Sequence, residues 1–307
     1  MRIAVIIKGK SPRKDDFYRD LSENANFTRI QDLQILETEY AGHAVKLAAS
    51  CCAGVDYLIA GGGDGTLNEV VNGCMQALDN APGLSLPAVG VLALGTANDF
   101  LKTTNADGSV AQLLELIREG KRTRIDVGRI HYRQQDGKNG QRYFVNVADI
   151  GIGASVVQRM GGSRPWLGAN GHYLLAIVTG FLTYRKQLLK LSSSSGFSWQ
   201  GKCLAALVGN GKCFGSGLYA LPAARLDSGE LELTVVGDVA LLDFIQKLPL
   251  LRKGSSINHP QVLYARASEF QAQHVSTPIG VEVDGEYLGT TPVKIGILPA
   301  ALEILLP

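Results

Sequence analysis

The stretch from Val55 to Gly73 constrains this chain more than any other. An apolar run, Tyr57–Ala60, leads into Gly61, Gly62 and Gly63, then Asp64, Gly65 and Thr66, and then an amphipathic pattern. Glycines let the backbone turn and approach a ligand without a Cβ in the way. A helix that follows offers unpaired N–H groups and the positive end of its dipole. Together these make an anion site suited to the phosphates of a nucleotide. Asp64 stands against that reading, because an acid repels phosphates unless a cation intervenes; a Mg²⁺ ion between the two resolves the conflict. Thr66 can cap the helix and bond a phosphate oxygen. A plain strand-to-helix turn capped by Thr66 needs fewer glycines than these. Neither a Walker loop nor a Gly-x-Gly-x-x-Gly fingerprint is present.

A second loop has the same form. Val89–Leu94 is apolar and runs into Gly95, Thr96, Ala97, Asn98, Asp99 and Phe100. In a parallel sheet, Gly95, Thr96, Asn98 and Asp99 would reach the edge that carries Asp64. Alone, this would read as an ordinary turn with an Asx cap; two such loops at one edge ask for more.

The surrounding pattern supplies that sheet. Ile3–Ile7, Gln34–Thr38, Tyr57–Ala60 and Ala88–Leu92 read as strands. Phe17–Ala25, Gly42–Ala53, Leu67–Leu78 and Val110–Glu119 read as helices between them. Such alternation predicts an α/β fold, a doubly wound and mostly parallel sheet, with ligands at the carboxyl ends of its strands. From Arg124 the pattern changes. Arg124–His131, Arg142–Ala148, Cys203–Gly209, Glu230–Val236 and Gln261–Ala265 read as strands separated by turns, with one long helix at Gly171–Lys190. This predicts a second, mainly antiparallel β-sandwich domain. The expected boundaries are 1–128 and 129–288, with an apolar tail, 289–307, that can return to the first domain.

Composition closes off several classes. Of 307 residues, 46% are hydrophobic and 19% charged, as in a folded globular protein. Thirty Lys and Arg against 28 Asp and Glu give a net charge of +2, too balanced for a nucleic-acid-binding surface. Five cysteines, at 51, 52, 74, 203 and 213, fit neither a zinc site nor a disulfide framework and read as buried thiols of a reducing compartment. No apolar run approaches the roughly 20 residues that span a bilayer, so a cytoplasmic location is expected.

The two glycine loops together resemble the signatures of the diacylglycerol kinase catalytic-domain family, and in particular its soluble bacterial lipid kinases. The resemblance continues through Thr38 with Gly42–Ala44, Ile125–Gly128, Phe144–Ala148, Gly209–Gly211 with Leu221–Gly229, and Val283–Glu286. It implies a two-domain kinase that transfers the γ-phosphate of ATP to a diacylglycerol-like lipid hydroxyl, with Mg²⁺, in a cleft between the domains. ATP would contact Thr38, the run Gly62, Gly63, Asp64, Gly65, Thr66, Leu67 and Asn68, and Thr96 with its loop. Asp64 would organise Mg-ATP, and Glu286 would take the proton from the substrate hydroxyl. A lipid alcohol is a weak nucleophile, so a positioned carboxylate helps at the moment of attack. Asp284-Gly285 is also a strong hairpin signal.

Two departures stand out. The family places Asn-Pro after the first strand where this chain has Lys8-Gly9; Lys8 can contact phosphate or simply be solvated. The family's metal loop reads Asp-Asp-Gly where this chain has Asp227-Ser228-Gly229. A hydroxyl is a poorer ligand for a hard cation than a carboxylate. Asp227, Ser228 and Glu230 are the candidate ligands of an accessory metal.

For the acceptor, Trp166, Leu167, Tyr173, Leu174, Ile177, Phe181 and Leu182, flanked by Arg159, Arg164, Arg185, Lys186 and Lys190, suit either a core helix with charged ends or a transient membrane-surface contact at the lipid entrance. NAD kinases share Gly-Gly-Asp-Gly-Thr, but Gly95–Phe100 differs from their second signature. A catalytically silent nucleotide- or lipid-binding protein is the remaining alternative.

Overall fold

The computed structural model describes residues 1–23, 32–160 and 178–307. The chain separates into two compact units, Met1–Ile125 with Ala300–Pro307, and Asp126–Pro299.

In the first unit, β1 (Arg2–Lys8) lies between β2 (Asp32–Thr38) and β3 (Tyr57–Gly62), both parallel to it, with Val5 opposite Ile35 and Ile59. Next to β3 runs β4 (Ala88–Ala93), also parallel. The helices are α1 (Lys14–Glu23), α2 (His43–Cys51), α3 (Asp64–Asn80), α4 (Asp99–Thr104) and α5 (Val110–Glu119). Five successive residues of β1 are buried, as a strand covered on both faces requires. Ile3, Val5 and Ile7 share one core with Phe17, Leu113 and Leu116. Helices α2 and α3 approach so closely that a Cβ on Gly73 would lie 2.4 Å from the Val45 carbonyl oxygen.

The second unit is an antiparallel sandwich. One sheet runs β12 (Val262–Ala267), β11 (Leu231–Val236), β10 (Ala205–Gly209), β7 (Val147–Gly151), β14 (Gly280–Val283) and β15 (Glu286–Ile304). From β15 the ladder continues to β13 (Glu269–His274), β8 (Gln187–Ser193) and β9 (Ser198–Cys203). Strand β5 (Thr123–Arg133) pairs with β15 and with β6 (Asn139–Phe144). Phe144, Ile150, Val208, Leu233, Phe270, Val281 and Ile295 meet in its core. The opposite face of β7, β10 and β11 carries a second apolar cluster, including Val147, Leu207 and Leu221, with Leu251 of α7 (Leu241–Lys253) packed against it. Helix α6 (Ile152–Met160) follows β7 directly.

Three sequence expectations are corrected. The single strand expected at Arg142–Ala148 is two, β6 and β7. Between them the buried Asn146 side chain donates to the Cys213 carbonyl at 2.6 Å, and its own carbonyl accepts the Gly211 amide. The long helix expected at Gly171–Lys190 covers, among the described residues, only 178–183. From Gln187 the chain is extended, because Leu189 and Leu191 alternate with exposed Lys190 at strand period. Trp166, Leu167, Tyr173, Leu174, Ile177 and Arg164 fall outside the described residues. Helix α3 begins at Asp64 rather than Leu67, so its N-cap is Gly63 and Thr66 sits within the first turn. The returning tail is Ala300–Pro307, where Ile304 pairs in parallel with Val89 of β4. All five cysteines are free and buried, as expected.

Candidate nucleotide and acceptor sites

In the first unit, β3 feeds α3 through Gly62 and Gly63. Thr66 and Leu67 donate the first intrahelical bonds to the Gly63 carbonyl, at 2.9 and 3.1 Å. The amides of Asp64 and Gly65 come before those bonds. No side chain of the N-cap covers them, since the cap is glycine. A Cβ on Gly62 would lie 2.1 Å from the Thr66 Oγ1, and a Cβ on Gly95 would lie 2.2 Å from the Gly63 Cα. The two loops therefore touch backbone to backbone, and the similarity between them that the sequence shows is a physical contact.

Asp64 binds them together. Its carboxylate accepts the Phe100 amide at 3.0 Å, at the start of α4. Burial pushes its pKa up, opposed by that bond and added to by the nearby Asp99. Asp99 is buried and paired with Lys102 at 2.9 Å. Asn98 sits at a positive φ of 51°, donates to the Gly95 carbonyl at 3.2 Å, and leaves its buried Oδ1 without a hydrogen-bond partner among the described residues. Thr96 is exposed beside it.

The N-terminal amides of α3 and the glycine walls fit a nucleotide's phosphates, whereas the orphaned Asn98 Oδ1, an acceptor, suits a donor or a cation. The site also fits a cation carried by the phosphates, because Asp64 is a half-buried carboxylate without a salt-bridge partner among the described residues, and Mg²⁺ commonly takes one or two protein carboxylates plus phosphate oxygens. No group of three or more His, Cys, Asp or Glu able to hold a metal by itself occurs among the described residues.

Not every expected residue faces outward. Leu67 and Asn68 are enclosed, with Asn72 donating to both the Asn68 carbonyl and its side chain. They serve the packing of α3. Thr38 ends β2 and accepts the Gly9 amide at 3.3 Å; a Cβ at Gly9 would strike the Thr38 carbonyl oxygen at 2.3 Å. Glycine after Lys8 is thus required by the close pass of β2, and Lys8 itself is exposed.

Sequence reasoning missed Glu69. Its two oxygens accept the amides of Gly42 at 2.9 Å and Ala44 at 3.0 Å, fixing the N-terminus of α2. Gly42 is the N-cap there, at φ 84° and without a capping side chain of its own. A glycine N-cap before an apolar helix was the available signal.

In the second unit, Asp284 and Gly285 both have positive φ, 47° and 85°, and form a two-residue hairpin between β14 and β15. Asp284 Oδ1 accepts the Val147 amide at 2.9 Å, which ties the hairpin to β7. Glu286 follows, and Arg142 of β6 holds its carboxylate at 2.8 Å. The expected accessory metal ligands do not converge. Asp227 is paired with Arg225 at 3.2 Å, and the Ser228 hydroxyl donates to the Glu230 carbonyl at 3.0 Å, closing its own turn. The loop is held instead by buried Asp126, whose carboxylate accepts the Gly229 amide at 2.6 Å.

A cavity of about 120 Å³ lies on the outer face of β7, β10 and β11. Phe214, Leu218, Ala220, Phe244 and Leu251 are among its lining residues, and its wall is almost entirely apolar. Roughly 10–15 Å³ admits one water, so this space is far larger than a packing defect.

Comparison with known proteins agrees with both halves. Residues 2–130 match the diacylglycerol kinase catalytic domain, and residues 146–306 match the YegS C-terminal NAD kinase beta sandwich-like domain. A protein of Serratia proteamaculans (strain 568) named "Probable lipid kinase YegS-like" is 31% identical over 90% of this chain and 85% of its own. A protein of Staphylococcus epidermidis (strain ATCC 12228 / FDA PCI 1200) named "Diacylglycerol kinase" is 27% identical over 94% and 90%. A crystal structure of a diacylglycerol kinase from Bacillus anthracis Sterne shares the fold, with a TM-score of 0.71 at 20% identity, covering 100% of this chain and 97% of that one. The chain belongs to the diacylglycerol kinase family of lipid kinases, with a catalytic domain of that family followed by a YegS-type β-sandwich.

Proposed function

We propose that this kinase transfers the γ-phosphate of ATP to the hydroxyl of a diacylglycerol-like lipid. The first unit would hold Mg-ATP and the second the alcohol. The glycine-walled edge at Gly62–Gly65 and Gly95–Thr96 supports the donor half, with Asp64 carrying the cation beside the phosphates. Glu286, fixed by Arg142, would accept the proton of the attacking hydroxyl. Phosphoryl transfer rests mainly on positioning and charge neutralisation, so one carboxylate and one metal-nucleotide suffice in kind.

The observation that carries the acceptor class is the apolar cavity of the second unit. A dinucleotide acceptor, as in NAD kinases, would need a polar wall; a lipid chain needs this one. The exposed face of α7 supports a peripheral route for the lipid. Leu242 and Ile245 point outward, 65% and 48% exposed, and Arg252 and Lys253 close the helix. Apolar residues with cations at one end suit an anionic bilayer surface. No helix among the described residues is long and apolar enough to cross a membrane.

The test is incubation with γ-labelled ATP, Mg²⁺ and a panel of lipid alcohols, followed by separation of products. Label in a phosphorylated lipid is expected. Label transferred only to NAD, or to nothing, overturns the reading.

A further inference from the structure

Two of the five cysteines meet side by side in the first unit. Cys52 and Cys74 are 22 residues apart in the chain, yet their sulfurs are hydrogen-bonded at 3.4 Å. Cys52 caps the end of α2, its amide bonded to the Ala48 carbonyl at 3.1 Å, and Cys74 lies in the body of α3. Both thiols are buried.

Their place in the fold gives the pair a consequence. Gly73, next to Cys74, is where α2 and α3 pass backbone to backbone; a Cβ there would lie 2.6 Å from that of Ala48. Glu69 ties the two helices together at the other end of this contact, through Gly42 and Ala44. The chain between Cys52 and Cys74 contains all of β3 and the glycine edge Gly62–Gly65. A bond between the sulfurs would close a loop around the strand and turn that present the anion-binding amides.

The geometry permits that bond. A disulfide holds its sulfurs about 2.05 Å apart, so these two must close by roughly 1.4 Å. Cys74 has little freedom, because it sits inside a helix with no slack at Gly73. Cys52 has more: it is a C-cap, and the next two residues, Ala53 and Gly54, are exposed. Fraying of that last turn brings the sulfurs together and admits an oxidant not much larger than water. The sulfur–sulfur hydrogen bond also divides the roles. It draws the Cys52 thiol down, whereas the same bond and burial push Cys74 well up. Cys52 therefore ionises and attacks, and Cys74 keeps a proton to give.

We propose that Cys52 and Cys74 form a reversible disulfide when a hydroperoxide reaches them, stapling α2 to α3 around the glycine edge. The Cys52 thiolate attacks one oxygen of hydrogen peroxide, the O–O bond breaks, and the departing hydroxide takes up the proton that Cys52 released. Cys52 is left as a sulfenic acid. The Cys74 sulfur then attacks the Cys52 sulfur, the S–O bond breaks, and the hydroxide leaves as water with the Cys74 proton. Two thiols and one peroxide give one disulfide and two waters, the peroxide gaining the two electrons that the sulfurs lose. A small dithiol reverses the bond. Nothing in this step uses nucleotide or lipid, so it stands or fails apart from the kinase reading.

The test uses the full chain, reduced and then freed of reductant. It is treated with equimolar hydrogen peroxide, its remaining thiols are alkylated, and its peptides are mapped by mass spectrometry without reductant. A protease specific for acidic residues is needed, since no Lys or Arg lies between Lys46 and Lys102. A link between residues 52 and 74 is expected, and dithiothreitol should remove it. The linked chain should show a urea midpoint higher by roughly 1 M, as closing a loop of this length implies. Cys51→Ala should keep both the link and the rise; Cys74→Ala should lose both. Alkylatable thiols at both positions in the treated wild type overturn the proposal. So do sulfinic acids there, or a link that runs through Cys51, Cys203 or Cys213 instead. A 52–74 link with an unchanged midpoint overturns the staple. These wild-type outcomes decide the matter even if Cys74→Ala fails to fold.

Discussion

Glu69 and Gly42, 27 residues apart, are joined by a hydrogen bond of 2.9 Å that fixes where α2 begins. Glu69 belongs to α3, the helix that opens on the glycine loop, so one helix positions both the loop and the end of β2 with Thr38. Replacing Glu69 by Ala removes an anion from a helix N-terminus and strands two amides. A stability loss of about 1–2 kcal/mol is expected in denaturant unfolding. If the Thr38 edge contacts nucleotide, KM for ATP rises while kcat falls less; an unchanged KM would detach this edge from the nucleotide.

Gly95 faces the Gly63 backbone with no room for a methyl group. Gly95→Ala must push the two loops apart, at a cost of about 1–3 kcal/mol. Nucleotide affinity, read by equilibrium binding, should fall at least tenfold. Gly83→Ala is the control for foldedness, since a Cβ there meets nothing within 4 Å; its φ of 93° still imposes some strain.

Glu286→Gln keeps the hairpin and most of the shape at β15 but cannot take a proton. As a general base its loss should lower kcat by roughly 10²–10⁴-fold with little change in nucleotide binding. Retained turnover would assign Glu286 to the Arg142 ion pair alone.

Asp149 predicts a pH dependence of stability. Buried in the fold, it keeps its proton up to about pH 7, whereas an unburied aspartate loses it near 3.8, and Glu282 is shifted the same way by burial and by Asp149. Between those values the folded state binds more protons than the unfolded one, so this group's contribution falls as pH rises through that window. Below it both states are protonated; above it both are ionised. Asp149→Asn should therefore gain on the wild type from pH 4 to pH 7, by up to roughly 4 kcal/mol, and hold a constant lead above. Thermal unfolding across that range, with the variant tracking the wild type at every pH, would contradict the burial argument.

Much of this was legible in residues that act through their neighbours in sequence. Ile3–Ile7 reads as a covered strand because five adjacent apolar residues need cover on both faces. Asp284-Gly285 reads as a hairpin because only such residues accept two positive φ angles easily. What escaped was set by distant partners. Asp64 looks like an awkward acid until the Phe100 amide, 36 residues on, is found against it. Asp126 looks like part of a strand until it is seen holding Gly229, 103 residues away. The strand at Gln187 was hidden because its leucines continue the apolar run of the helical segment before it, and only burial separates the two periods.

The tail that pairs with β4 has a consequence for how the protein is made. Ala300–Pro307 belongs to the first unit but is translated after all of the second. While the ribosome works through Asp126–Pro299, β4 has no strand on the side that Ile304 will occupy, and an open edge of a parallel sheet is a place where other chains can add. The first domain to emerge is therefore the last to have its sheet edge covered, by residues that leave the exit tunnel only after the second unit has had time to fold.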